Sequence, residues 1–162
     1  MNINFKNRRP FHQSACQVLL LVLSCGYQVG CSALELELEL EAITYQEALT
    51  RYQETSGIEN YRCALIPADD NYRAIRDARP IAVEIDEMLF VKTAGIVQEL
   101  QQTDMSETHT LYAADGMTAT LTIVRQFNRS EYNESDDRHV DLAFEMDGET
   151  VIYKTFGAAC GL

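Results

Sequence analysis

Five carboxylates, Glu131, Glu134, Asp136, Asp137 and Asp141, crowd one short stretch of this chain. Hard cations such as calcium bind where several oxygens converge, so this stretch is a candidate cation site. It lacks the alternating Asp/Asn pattern and central glycine of a calcium loop, and a solvated connection between strands is the competing reading. Asn128-Arg129-Ser130 and Asn133-Glu134-Ser135 also fit the spacing of glycan acceptors, which matters only in a host that glycosylates. A second group, Arg62, Arg73, Arg76 and Arg79 with Tyr61 and Tyr72 interleaved, could bind an anion, because guanidinium groups grip carboxylate or phosphate bidentately. Asp69, Asp70 and Asp77 stand among them and offer internal ion pairing instead. His109 and His139 would suit a hydrolase only if a carboxylate oriented one of them beside an activated nucleophile. No G-x-S-x-G, H-E-x-x-H or reactive-cysteine motif accompanies them, so no catalytic residue and no cofactor is assigned.

The balance of charge narrows the partners. The chain has 162 residues, 25 acidic and 13 basic side chains, a formal charge of −12 and 46% hydrophobic residues. That hydrophobic content suits an ordered domain, and the charge disfavours nucleic acid phosphates and anionic head groups. Lys6, Arg8 and Arg9 are the only charges ahead of Glu35, so loss of the N-terminal segment would make the remainder more acidic still.

That segment, 1–33, reads as an export signal: a basic start, the apolar run Val18–Leu23, then small and polar residues ending at Ala33. The run is too short to span a bilayer, which takes roughly 20 residues. Val22-Leu23-Ser24-Cys25 and Gln28-Val29-Gly30-Cys31 both resemble the lipobox of bacterial lipoproteins, with departures at Leu23 and Gln28. The resemblance implies acylation of Cys25 or Cys31 and attachment to a membrane through that anchor alone. Cys31-Ser32-Ala33 offers an ordinary signal-peptidase site instead, which would start a soluble product at Leu34. Arg8-Arg9-Pro10-Phe11 resembles the core of a twin-arginine signal, although such charges also orient any signal segment.

Export removes Cys16 and removes or acylates the others in the leader, leaving Cys63 and Cys160 as the certain cysteines of the folded domain. An even pair in an oxidising compartment predicts one disulfide. It would pin residues 157–160 onto residues 61–65.

Elements must then position these groups. Leu34-Glu35-Leu36-Glu37-Leu38-Glu39-Leu40-Glu41 alternates like a strand but is built of helix formers, so 34–43 is read as an acidic linker, helical or extended. Thr44-Tyr45-Gln46-Glu47 has capping-box spacing and predicts a helix over 45–55. Asp69, Arg73 and Pro80 suggest a second short helix. Ile81, Val83 and Ile85 alternate with Ala82, Glu84 and Asp86 in a strand. Asp115-Gly116 and Asp147-Gly148 predict hairpins. The first pairs Tyr112 with Ala119, and the second pairs Phe144 with Val151 and Leu142 with Tyr153. The expected fold is therefore α+β: one or two N-terminal helices on an antiparallel sheet of about 4 to 6 strands, in a single domain over 44–162.

The function expected from these observations is that of an exported bacterial envelope protein, in the periplasm or on a membrane, that binds or braces a partner without catalysis. The partner is an envelope protein or a small ligand, and an aromatic face of Tyr112, Tyr132 and Tyr153 could meet it. The alternatives are a cation-dependent module using 131–141 and an envelope hydrolase using His109 or His139.

Overall fold

The computed structural model describes residues 38–55, 58–69, 77–132 and 134–161. They form one helix, α1 (Tyr45–Thr55), and eight strands: β1 (Arg62–Pro67), β2 (Ala82–Ile85), β3 (Met88–Thr93), β4 (Ile96–Met105), β5 (His109–Ala114), β6 (Met117–Phe127), β7 (Ser135–Met146) and β8 (Glu149–Gly161). Each strand runs antiparallel to the one before it, and β8 returns to pair with β1, so the sheet closes into a barrel. The expected α+β fold, with helices laid on an open sheet, is overturned. Alternation along a strand looks the same in an open sheet and in a barrel. What distinguishes them is the pairing of Leu65 with Gly157 and Ile66 with Phe156, a contact between distant parts of the chain that no local pattern encodes.

Closure gives β2 two buried faces. Ala82 and Glu84 point into the barrel, while Val83 and Ile85 point outward beneath α1, and all four are buried. The outer layer consists of Ala48 and Tyr52 of α1 packed with Ile43, Val83, Ile85 and Phe90. The capping box forms as the spacing predicts: Thr44 Oγ1 accepts from Glu47 N at 3.1 Å and Thr44 N donates to Glu47 Oε2 at 2.7 Å. Glu47 also receives Lys92 Nζ at 2.9 Å, which ties the helix start to β3.

The hydrogen bond from the Thr44 backbone, then those from Lys92 and the Thr44 hydroxyl, lower the Glu47 carboxyl from 4.5 to about 2. A depressed folded value makes its contribution to stability complete above the ordinary carboxylate range and lost as pH falls through about 2. Thr44→Ala is expected to cost about 1 kcal/mol in denaturant unfolding, chiefly through loss of the Oγ1 acceptor for Glu47 N, so most of the cost should persist in acid. An unchanged unfolding midpoint at neutral pH would count against the cap.

Inside the barrel, Leu65, Leu89, Val91, Leu100, Leu121, Leu142 and Phe144 fill the section nearer the Asp115-Gly116 and Asp147-Gly148 turns. Both turns hold the expected registers, with Tyr112 opposite Ala119, Phe144 opposite Val151 and Leu142 opposite Tyr153. Asp147 (φ 55°) and Gly148 (φ 84°) both take the left-handed conformation that a tight two-residue hairpin needs. Residues 38–41 are extended rather than helical: Glu41 bridges to Lys92, and Leu38 and Leu40 are buried against the barrel core. Here the strand-like alternation outweighs the helix propensity of Leu and Glu. The suggested second helix falls largely on 70–76, outside the described residues.

The sulfurs of Cys63 on β1 and Cys160 on β8 meet at bonding distance, so the pair lies on the strand junction that closes the barrel. Gly157 makes room for it. A Cβ at that position would stand 2.6 Å from both sulfurs, closer than any side chain tolerates.

Candidate functional site

A barrel of eight strands has an interior that side chains can just fill or that can hold one small ligand. In this barrel they fill one part, and the end toward the β2–β3 turn and the β4–β5 connection opens into a half-open cavity of about 730 Å³. Its walls come from Tyr61 ahead of β1, Glu84 on β2, Gln102 on β4, Tyr112 on β5, Ile123 on β6 and Arg138 on β7. At its open rim stand Tyr52 and Met88, which also belong to the outer layer under α1, and the exposed Met105, together with the carboxylates Asp86, Glu87 and Glu107.

Glu84 is the centre of a polar network. It is 6% exposed, Tyr112 Oη donates to its Oε1 at 2.6 Å, and Tyr61 Oη donates to its Oε2 at 3.3 Å. Tyr61 Oη in turn accepts from Arg138 at 3.1 Å. Arg138 is already committed to Asp136, with contacts of 2.7 Å from Nε and 2.9 Å from Nη2. The guanidinium and Asp136 therefore neutralise each other, and Glu84 is left with two phenols and no cation at hydrogen-bond distance among the described residues.

Burial pushes the Glu84 carboxyl above its ordinary value, and the opposing pull of Tyr112, Arg138 and Tyr61 does not cancel it. Tyr112 and Tyr61 are also raised, by burial and by the neighbouring Glu84, so both stay neutral donors. Asp86 behaves oppositely: burial raises it, but hydrogen bonds from Tyr52 and from the Tyr61 and Asn60 backbones outweigh that and hold it low.

An acid whose folded value is raised stabilises the fold below its unfolded value and loses that contribution as pH climbs through the folded value. The unliganded protein is therefore expected to lose stability as pH rises from about 4.5 through the raised value of Glu84. Glu84→Gln should melt several degrees higher at neutral pH and converge with the parent in acid, as scanning calorimetry across pH would read. Parallel melting curves at every pH would refute the assignment.

The candidates from the sequence are placed elsewhere. Asp136 faces the interior and Arg138, Asp137 accepts from Asn128 and from Ala159 N, and Asp141 pairs with Lys154 at 3.3 Å. Glu131 and Glu134 are exposed. The five do not converge, and among the described residues no group of three or more potential metal ligands does. Arg62 pairs with Glu59 at 3.6 Å and lies over the Tyr45 ring, while Arg79 lines a separate hollow with Lys92. Arg73 and Arg76 lie outside the described residues, as do Cys25 and Cys31. His109 contacts Thr108 at the barrel surface, and His139 lies on the outer face against Phe127 and Phe156. Neither histidine lines the cavity.

The expected aromatic face is also corrected. Tyr112 is 1% exposed, Tyr153 accepts a hydrogen bond from Leu40 N at 2.8 Å, and only Tyr132 is open to solvent. Closure turns the first two inward. Glu84 was visible as the polar member of an alternating strand, but a half-buried sheet places such a residue in water. Arg138 carried no signal beyond standing two residues from Asp136 on one strand face, the spacing that lets them pair.

No family model, no curated protein and no solved structure matches this chain.

Proposed function

We propose that this chain is an exported protein of the bacterial cell envelope, held to a membrane by an acylated Cys25 or Cys31, and that its barrel binds a small organic molecule without catalysing its conversion. The observation that carries the binding role is the cavity of about 730 Å³ with Glu84, Tyr61, Tyr112 and Arg138 on its walls. Its size falls among those of small-molecule pockets, and it combines apolar surface with a few placed polar groups, as such sites do. Export is supported by the leader and by the Cys63 and Cys160 sulfurs, a pairing suited to an oxidising compartment. No helix among the described residues is long and apolar enough to cross a membrane. Attachment by lipid rather than by insertion of the barrel is supported by the apolar side chains that fill part of its interior, which in a lipid-embedded barrel is polar.

Two measurements test this reading. Intact-mass analysis of membrane and soluble fractions from a native bacterial host should give a chain starting at Cys25 or Cys31 with acyl groups. A start at Leu34 would replace the anchor with a soluble product, and an uncut chain would overturn export. For the cavity, Ile123→Trp places a large ring on its wall in a chain that otherwise has no tryptophan. Small amphipathic molecules that shift the Tyr61 and Tyr112 resonances of the parent should fail to bind the variant. Equal binding to a folded variant would place their site outside the barrel.

A further inference from the structure

We propose that the ligand of this cavity is an organic ammonium ion: a cationic amine on an apolar body, with the ammonium received by Glu84. The inference rests on the cavity being a binding site and goes on to name what enters it.

Buried charges are matched by opposite charges, because an isolated one is costly to remove from water. Asp136 has Arg138, gripped through two nitrogens. Glu84 is hydrogen-bonded by the hydroxyls of Tyr112 and Tyr61 alone, one on each oxygen, and meets Arg138 only across the shared Tyr61 hydroxyl. Each carboxylate oxygen can accept more than one hydrogen bond, so acceptor capacity remains. A ligand ammonium supplies further donors and the charge that matches the carboxylate formed as it binds.

The surroundings select the same sign. The titratable groups that face the cavity with Glu84 are Tyr52, Tyr61, Tyr112, Asp86, Glu87, Glu107 and Arg138. The only cation among them is the one that Asp136 neutralises. Asp86 is held as a carboxylate by the Tyr52 hydroxyl and two backbone amides. The chain as a whole carries −12, so the field outside the mouth also draws cations. An inorganic cation is a poorer fit, since no three ligating side chains converge among the described residues. Tyr52, Met88, Met105 and Ile123 provide apolar surface for the remainder of the molecule, and aromatic faces favour an ammonium nearby.

The empty and filled states then differ in one proton. With no cation, the buried Glu84 carboxyl holds its proton above the ordinary carboxylate range. An arriving ammonium favours the carboxylate, so the proton leaves to solvent as the ion pair forms, and the charge inside the barrel stays balanced.

The test uses three probes with one common body: phenethylamine, 2-phenylethanol and phenylacetate, titrated into the full-length exported protein by calorimetry and NMR. The amine is expected to bind at least about tenfold tighter than the alcohol and to shift Tyr61 and Tyr112. Near the raised titration range of Glu84, amine binding should release a proton, read from the dependence of the heat on buffer ionisation, while the alcohol releases none. Glu84→Gln should remove both the preference and the proton. Its melting temperature, measured alongside, shows whether it is folded, and the proton count on the parent stands without it. Amine and alcohol binding equally in the cavity would overturn the ammonium assignment and leave the cavity as a ligand site. Tightest binding of phenylacetate would move the anchor to Arg138 and overturn it likewise. No saturable binding of any probe would overturn both readings.

Discussion

Reduction of the Cys63–Cys160 pair is expected to destabilise the domain by about 4 to 5 kcal/mol, because the bridge closes a loop of about 97 residues in the unfolded chain. A domain of this size has about 5 to 15 kcal/mol in total, so the reduced protein should unfold at a much lower denaturant concentration. The loss has a location as well as a size. Both cysteines lie where β1 meets β8, and the register of that pair shifts between Arg62 and Leu65, so backbone pairing beside the bridge is interrupted. Amide exchange should therefore accelerate first along β1 and the end of β8, while the β6–β7 and β3–β4 pairs stay protected. Urea unfolding of the parent with and without reductant, beside Cys63→Ala/Cys160→Ala, reads the magnitude. A difference below about 1 kcal/mol would show that the bridge adds little to the closed sheet.

Arg138→Met is expected to cost about 3 to 5 kcal/mol, since it leaves Asp136, 8% exposed, inside the barrel without its cation. The methionine keeps much of the bulk of the arginine stem, so the loss is chiefly electrostatic. Asp136→Asn in the same chain removes the stranded charge and should recover a large part of the loss, a coupling that a double-mutant cycle measures directly. Gln126 Nε2, 3.2 Å from Asp136, remains to hydrogen-bond the amide oxygen. Additive effects of the two substitutions would mean that the close contacts between Arg138 and Asp136 contribute no net coupling. Arg138→Met also withdraws the donor from Tyr61, so Tyr61 resonances should report the change even where global stability is restored.

These particular residues mark what a sequence discloses and what it does not. Thr44 and Glu47 lie three positions apart and satisfy each other locally, so the start of α1 was legible from spacing. Asp147-Gly148 fixes a turn, and a turn fixes the register of both flanking strands, which is why Phe144 opposite Val151 could be read in advance. Cys63 and Cys160 were legible by count, on the expectation that an export leader accounts for the others. Glu84 was not, because its fate depends on a partner strand arriving from the far end of the chain. In an open sheet its face would meet water, and in the closed barrel it meets Tyr112 from β5 and, through Tyr61, Arg138 from β7. The acidic stretch 131–141 is dispersed for a local reason instead. Period-two alternation sends Asp136 inward and Asp137 and Asp141 outward, so carboxylates adjacent in sequence end on opposite sides of a wall.

The return of β8 to β1 also bears on how the protein behaves in a crowd of its own copies. Each of the eight described strands has a neighbour on both sides, so the junction of β1 with the last part of β8 is closed to a passing chain while the barrel is oxidised. Opening that junction frees two rows of amides and carbonyls at once, on β1 and on Thr155–Gly161 of β8. Self-association through added strands, turbidity and loss to the pellet are therefore the fate expected of chains kept reduced. An oxidising destination would protect the protein's solubility as much as its fold.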